Sequence, residues 1–140
     1  MIRLATVDDA PYIAQLTMQL GYNISLETAK KRLTYLIGSS DHAVFVSETK
    51  DGSISGWAHI FIKRLIELEY AEIGGIVVQT NNRRSGVGLK LMQACEEWAK
   101  ENEIGEVRLR SGEQRAEAHT FYLNLGYEYV RNQKVFTKKV

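Results

Sequence analysis

The feature that most constrains this chain is an apolar run followed by a glycine-containing turn and a helical pattern. The run is Ile73-Gly-Gly-Ile-Val-Val78, and the turn contains Arg83-Arg-Ser-Gly-Val-Gly88. An amphipathic segment begins near Leu89. A strand, turn and helix in this order present the unpaired N–H groups and the positive dipole end of the helix at one point. Because glycine lets the backbone approach an anion closely, the stretch predicts a phosphate-binding site.

The sequence of this stretch does not match two common phosphate-binding loops. A Rossmann fingerprint needs a third small residue where this chain has Leu91. A P-loop needs Gly-Lys-Ser/Thr, whereas Gly88 is followed by Leu89 and Lys90. What remains is Arg-x-x-Gly-x-Gly after a strand. Taken alone, that pattern fits an ordinary glycine-containing helix start equally well.

A second motif lies nearer the C terminus and reads Arg115-Ala-Glu-Ala-His-Thr-Phe-Tyr-Leu-Asn-Leu-Gly-Tyr127. It resembles the Ala-x-x-Phe-Tyr-x-x-x-Gly-Tyr ending of the GCN5-related N-acetyltransferase (GNAT) family. The Arg-x-x-Gly-x-Gly stretch resembles the coenzyme A pyrophosphate loop of the same family. That family's second motif often opens with asparagine, where this chain has Arg115. Whether Arg115 reaches a phosphate or only caps the helix region stays open.

Composition bounds the protein class. The chain has 140 residues, so we expect one domain spanning residues 1–140 that buries roughly 70% of its unfolded surface. A net charge of +1 gives no electrostatic case for nucleic-acid or membrane binding. There is no apolar run near the ~20 residues of a spanning helix and no signal-peptide core. The single cysteine suits a reducing compartment, so we expect a cytoplasmic protein.

Hydrophobic periodicity predicts the order β-αα-ββ-β-α-β-α-ββ. The predicted strands cover residues 2–4, 43–46, 54–63, 71–78, 107–109, 127–130 and 134–137. Four helices lie between them, and the last two predicted strands form a closing hairpin. This is also the element order of the resembled family. The resemblance implies a mixed α/β fold: a single domain with a twisted mixed sheet of about seven strands, helices on both faces, and a splay between the strands at 71–78 and 107–111.

The pair Gly74-Gly75 is unusual inside a predicted central strand. Glycine weakens a strand, so the pair predicts a bulge or a close approach of the backbone to another group. That group is either a neighbouring aromatic side chain or a substrate.

The resemblance implies acetyl-CoA as the co-substrate and assigns residues to it. Ile76, Val77 and Val78 are expected to contact the pantetheine arm. The pyrophosphate is expected to bind the loop that comprises Arg83, Arg84, Ser85, Gly86, Val87 and Gly88.

The resemblance also assigns the catalytic groups. Tyr122 matches the tyrosine that protonates the departing thiolate in many members, although its spacing also fits a core aromatic residue. Glu72 is the expected base, acting directly or through a water, and His119 is the alternative acid or base. Cys95 lies in an apolar helical stripe, which favours core packing over a role as nucleophile. His42 and His59 lack metal-ligand spacing, so no metal site is expected.

Together these patterns predict an acetyl-CoA-dependent N-acetyltransferase in which a primary amine of a small molecule or a peptide attacks directly. No nucleic-acid or membrane partner is expected, and a homodimer is left open. One alternative is a catalytically silent acyl-CoA-binding regulator on the same fold. Another is a nucleotide- or DNA-binding module that uses Lys30-Lys31-Arg32 with Arg83-Arg84, which the net charge of +1 disfavours.

Overall fold

The fold is organised around a mixed sheet. The computed structural model of the chain describes residues 1–80 and 85–140. In these residues the sheet has five strands in the spatial order β1-β2-β3-β4-β5. They are β1 (Ile2–Leu4), β2 (His42–Glu48), β3 (Ile54–Arg64), β4 (Glu69–Val78) and β5 (Val107–Leu109). The first four strands pair antiparallel and β5 runs parallel to β4, which confirms the prediction of a mixed α/β fold.

Four α-helices complete the described fold: α1 (Ala10–Thr17), α2 (Leu26–Ile37), α3 (Val87–Glu101) and α4 (Ala116–Asn124). Two of their starts carry recognisable sequence signals. Pro11 lies in the first turn of α1, where a missing N–H costs nothing. Ser25 caps α2 by accepting the N–H of Thr28 at 3.1 Å. No helix in the described ranges is both long and apolar enough to cross a membrane.

Each face of the sheet carries helices. One face presents Val46, Val77 and Trp57, which pack with residues of α1 and α2 such as Leu16 and Leu33. The other face presents Ala58 and Ile60, both fully buried, and α3 packs against it. The inward stripe of α3 consists of Leu91, Met92, Cys95 and Ala99. Helices on both faces of the sheet are therefore confirmed.

An ion pair fixes the start of the helical region on the sheet. The Arg3 guanidinium donates to both carboxylate oxygens of Asp9, at 2.8 and 2.9 Å, and also reaches Glu48 at 3.0 Å. Asp9 is only 5% exposed, and its hydrogen bonds from Arg3 hold the pKa of its carboxyl below the usual value. This pair ties β1 and β2 to the turn from which α1 starts.

The prediction of seven strands is wrong, because residues 127–140 contain no strand. The apolar residues that suggested a hairpin there remain in solvent: Val130 is 73% exposed, Val135 88% and Phe136 89%. A two-stranded hairpin is marginal in water unless one face is buried. Alternation of apolar residues was therefore an insufficient signal in this segment.

The chain divides into two compact units, Met1–Leu109 and Arg110–Val140. The first unit holds the five strands with α1, α2 and α3, and the second holds α4. The single domain expected over residues 1–140 stays a prediction.

Candidate functional site

The far half of β4 has a free edge within the first unit. β5 pairs with β4 only over Ala71–Ile73, while β4 continues to Val78 with β3 along its other edge. Over residues 74–78, the β5 side of β4 therefore has no strand partner among the described residues of this unit. Backbone N–H and C=O groups that lack a ladder partner can pair with the amides of a ligand. Ile76, Val77 and Val78, the predicted pantetheine contacts, all lie in this stretch.

The start of α3 is the second element of the predicted coenzyme site. Gly86 precedes the helix in a left-handed conformation, with φ 85° and ψ 3°, and no atom of the described residues lies within 4 Å of a Cβ built on it. The first helical bond runs from the N–H of Lys90 to the carbonyl oxygen of Gly86, at 3.0 Å. The N–H groups of Val87, Gly88 and Leu89 thus have no acceptor in the helix and can face an anion. Ser85 is exposed beside them. Arg83 and Arg84 lie outside the described residues.

Gly56 on β3 allows the helix start to lie close to β4. A Cβ built on Gly56 would be 2.9 Å from the carbonyl oxygen of Val77, 3.1 Å from Leu91 and 3.2 Å from Val87. Only glycine leaves room there for the first turn of α3. The free edge of β4 and the N terminus of α3 therefore lie near each other, which fits a ligand that has both amide groups and a pyrophosphate.

The glycine pair of β4 forms a bulge. His59 pairs with Gly75 and Ile60 with Ile73, which leaves Gly74 as the extra residue. A Cβ on Gly74 would lie 2.6 Å from Nδ1 of His59, and one on Gly75 would lie 2.9 Å from the Trp57 ring. The predicted bulge and the predicted aromatic crowding are both confirmed. Contact with a substrate at this point stays a prediction.

A cavity of about 450 Å³ opens beside the glycine pair. The sheet contributes Trp57, Gly74 and Gly75 to its wall, and α2 contributes Ser25, Thr28 and Arg32. The end of α1 and the segment before α2 close the remaining side. This volume is in the range of small-molecule pockets. The sequence did not indicate the cavity, because its wall joins segments that are far apart in the chain.

Glu72, the predicted base, lies on β4 two residues before the glycine pair. Its side chain is 13% exposed, and Oε1 lies 3.7 Å from Nζ of Lys63. Its backbone pairs with Phe61 on one side and Arg108 on the other. Glu72 does not line the cavity. A water would have to connect its carboxylate with an amine there, and the assignment stays a prediction.

Sequence reasoning missed a pair of stacked histidines next to the bulge. Nδ1 of His42 and Nε2 of His59 are 2.9 Å apart, and both rings stack with Phe61. Burial, with a smaller contribution from His42, lowers the pKa of His59 to about 4, so its imidazole is neutral at pH 7. Only the register of β2 and β3 brings these rings together, so a search for metal-ligand spacing could not find them.

Tyr122 belongs to the second unit and lies on α4. Its ring makes edge contacts with Phe121 and Tyr127, at centroid distances of 5.3 and 6.3 Å. Burial raises the pKa of the phenol, against a smaller opposite effect of Arg115. The hydroxyl is therefore protonated at neutral pH, as a proton donor must be. His119, the alternative, has Nε2 at 2.8 Å from the carbonyl oxygen of Gly112.

Cys95 is fully buried on α3, and burial raises the pKa of its thiol to about 12. Because the thiolate is the nucleophilic form, Cys95 is a core residue, as the apolar stripe predicted. No group of three His, Cys, Asp or Glu side chains in the described ranges could hold a metal ion.

Comparison with known proteins identifies the family of this chain. A sequence model of the acetyltransferase (GNAT) family matches residues 12–127. Aminoglycoside N(6')-acetyltransferase type 1 of Stenotrophomonas maltophilia is 29% identical over 132 residues, which cover 91% of this chain and 85% of that protein.

Two solved structures have a similar fold. Aminoglycoside 6'-N-acetyltransferase AAC(6')-Ig from Acinetobacter haemolyticus superposes with a TM-score of 0.85 at 19% identity, covering 100% of this chain and 99% of that one. Aminoglycoside N-acetyltransferase AAC(6')-Iy in complex with CoA gives 0.88 at 18% identity, covering 100% and 95%. The chain therefore belongs to the acetyltransferase (GNAT) family, which confirms the predicted class of acetyl-CoA-dependent N-acetyltransferase.

Proposed function

We propose that this chain transfers the acetyl group of acetyl-CoA to a primary amine of a small molecule that occupies the cavity beside Gly74 and Gly75. One observation carries the proposal. The glycine pair both lines the cavity and begins the free edge of β4. A ligand paired along that edge and a second ligand in the cavity would therefore meet at the same short piece of backbone.

The chain's own groups suit the coenzyme half of this site. The free backbone at Ile76, Val77 and Val78 would pair with amide groups of the pantetheine arm. The N–H groups of Val87 and Gly88, with Ser85 and Gly86 beside them, would hold the pyrophosphate at the positive end of α3. When bound, acetyl-CoA supplies an acetyl group activated as a thioester. A backbone N–H of β4 near the bulge would donate to the acetyl oxygen as negative charge develops on it.

The amine of the acceptor must be neutral when it attacks the thioester. An alkylammonium with a pKa near 10.4 is neutral in only about one molecule in 2,500 at pH 7. We assign proton removal to Glu72, through a water that connects it with the cavity. We assign protonation of the departing sulfur to Tyr122. Direct attack by the amine agrees with Cys95, whose buried thiol cannot serve as an acetyl carrier.

The curated relative supports a small-molecule amine as the acceptor. The curated relative is named for N(6')-acetylation of aminoglycosides, so aminoglycosides belong among the candidate acceptors. A peptide amine is the remaining possibility from the sequence. A cytoplasmic location and a homodimer stay predictions.

A panel of amines tests the proposal. Free thiol released from acetyl-CoA is measured with polyamines, aminoglycosides, amino acids and short peptides. We expect at least one small-molecule class to release thiol at a rate that depends on enzyme and amine concentration. If the protein binds acetyl-CoA and no amine causes release, the chain is instead the silent acyl-CoA-binding regulator.

A further inference from the structure

We infer that the small-molecule acceptor carries a carboxylate in addition to its amine, and that Arg32 binds this carboxylate. The inference names the substrate class of the proposed acetyltransferase site and therefore rests on the proposed function. It depends on the charges and hydrogen-bond donors of the cavity wall.

Arg32 is the charged residue of that wall. Among the described residues that line the cavity there is no Asp, Glu or Lys. Arg32 also has no carboxylate partner within the described ranges. Arg3, Arg64 and Arg108, in contrast, each form an ion pair with an acidic side chain. A guanidinium without a carboxylate partner, at the edge of a cavity, is a ready site for bidentate binding of a carboxylate.

The start of α2 adds to this preference. Ser25 and Thr28 both line the cavity, and they lie at the N-terminal end of a twelve-residue helix. The positive end of the helix dipole therefore lies on the same side as Arg32. These features give one end of the cavity a positive potential.

These positions suggest an orientation for the acceptor. Its amine would point to Gly74 and Gly75, where the acetyl group is expected, and its carboxylate would point to Arg32. An acceptor with several positive charges would instead meet Arg32 with no acidic side chain in the described wall to compensate. Juxtaposed like charges oppose binding, so polyamines and aminoglycosides should be the poorer acceptors.

The test compares acceptors that differ only in charge. Each common amino acid and β-alanine is assayed beside its own carboxamide, with putrescine, spermidine and kanamycin as polycationic acceptors. The quantity measured is the ratio of kcat/KM for the best carboxylate to kcat/KM for its carboxamide. We expect Arg32→Gln to lower this ratio by roughly tenfold, as for the loss of a charge-assisted hydrogen bond. Arg32→Glu should reverse the preference, so that a polyamine becomes the better acceptor.

Lys30→Gln is the matched control, because it removes the same charge from the same helix at a residue that does not line the cavity. The ratio should not change in this variant. Each variant is also checked for an unchanged Tm.

A second readout measures binding without turnover. The chain has two tryptophans, Trp57 and Trp98, so Trp98→Phe leaves the cavity residue as the sole indole fluorophore. The best carboxylate amine should change its emission when CoA is present. In the Arg32→Gln background this change should need roughly tenfold more ligand.

Two results would overturn the inference in different ways. Turnover with a ratio that is the same in wild type and Arg32→Gln, or turnover confined to polycationic amines, would refute the carboxylate and leave the proposed function standing. Absence of thiol release with every amine would refute the proposed function and the inference with it.

Discussion

At Gly74 and Gly75, the absence of a Cβ atom allows the backbone to lie close to the neighbouring aromatic rings. Each glycine faces an aromatic ring at a distance that no Cβ could tolerate. The rings of His59 and Trp57 therefore pack directly against the backbone of the bulge. Sequence alone predicted a bulge here, but it could not decide between crowding and substrate contact. The rings of His59 and Trp57 account for the crowding. The cavity beside the glycine pair gives a physical basis to the alternative, contact with a substrate.

His59 should make stability depend on pH. Its pKa is lowered from 6.5 to about 4, so the unfolded chain binds a proton more readily than the folded protein between these values. Stability is thus fully present above pH 6.5 and is lost as the pH falls toward 4, by about 3 kcal/mol for this group. We expect His59→Phe, which keeps a ring in the stack, to show a flatter dependence over this range.

The measurement is the free energy of unfolding in urea from pH 4 to pH 8. His119→Gln is the control and should retain the wild-type slope, because His119 lies on α4, outside the stack of His42, His59 and Phe61. Identical pH dependence of wild type and His59→Phe would mean that the buried imidazole does not couple to folding.

A Tyr122→Phe variant should distinguish a packing role of this residue from a catalytic role. Tyr122→Phe keeps the ring contacts with Phe121 and Tyr127 and removes only the hydroxyl. If the hydroxyl protonates the departing sulfur, kcat should fall by roughly 10²–10⁴ with little change in the Kd of acetyl-CoA. A thioester whose thiol has a lower pKa should be less sensitive to the change. The raised pKa of the phenol also predicts that the donor stays protonated at neutral pH.

The control is Tyr127→Phe, which removes a hydroxyl from the same aromatic cluster and should leave kcat near the wild-type value. Equal kcat for wild type and a well-folded Tyr122→Phe would mean that Tyr122 only packs. The group that protonates the departing sulfur would then be unassigned.

At the scale of elements, the start of α3 gives the sharpest comparison. Gly86 and Gly52 have nearly the same backbone, with φ of 85° and 86°, and within residues 1–80 and 85–140 neither has an atom closer than 4 Å to a built Cβ. Alanine at either position should therefore cost a similar 1 kcal/mol or so in backbone strain. Only Gly86→Ala places a methyl group beside the predicted pyrophosphate site.

We expect acetyl-CoA to raise the Tm of Gly52→Ala as much as that of the wild type, and to raise that of Gly86→Ala much less. Thermal shifts measured at several coenzyme concentrations provide the check. A shift for Gly86→Ala as large as that for Gly52→Ala would remove Gly86 from the coenzyme site.

Elements whose signals are local could be predicted from the sequence. The Ser25 side chain marks the start of α2 by accepting an N–H of its first turn, and Gly86 marks the start of α3 through its left-handed backbone. The segment after Tyr127 was predicted wrongly because a strand needs a partner and a buried face, and neither is encoded locally.

The parts of the site that the sequence missed depend on contacts between distant segments. The rings of His42 and His59 are brought together by the register of β2 and β3. Arg32 and Gly74 line the same cavity, although they lie far apart in the sequence. The coenzyme motif, in contrast, is one continuous stretch around Gly86, so its pattern could be read directly.

At the scale of the molecule, the proposed function gives one strand a role in binding both substrates. β4 has a free edge at the predicted coenzyme site and contributes the glycine pair to the proposed acceptor cavity. α3 lies on one face of the sheet, while α1 and α2 lie on the other and, with the segment that joins them, supply most of the cavity wall. Acceptor preference can therefore change through α2 while coenzyme binding at α3 is preserved. This separation explains why Arg32 variants should alter kcat/KM for particular amines without altering the Kd of acetyl-CoA.

The most direct measurement quantifies thiol and N-acetylated amine in the same reaction, with acetyl-CoA and the best amine of the panel. Direct transfer predicts that each thiol released is matched by one acetylated amine, and that neither forms without the amine. Thiol release without an acetylated product, or coenzyme binding with no release from any amine, would contradict the assignment of this chain as an N-acetyltransferase.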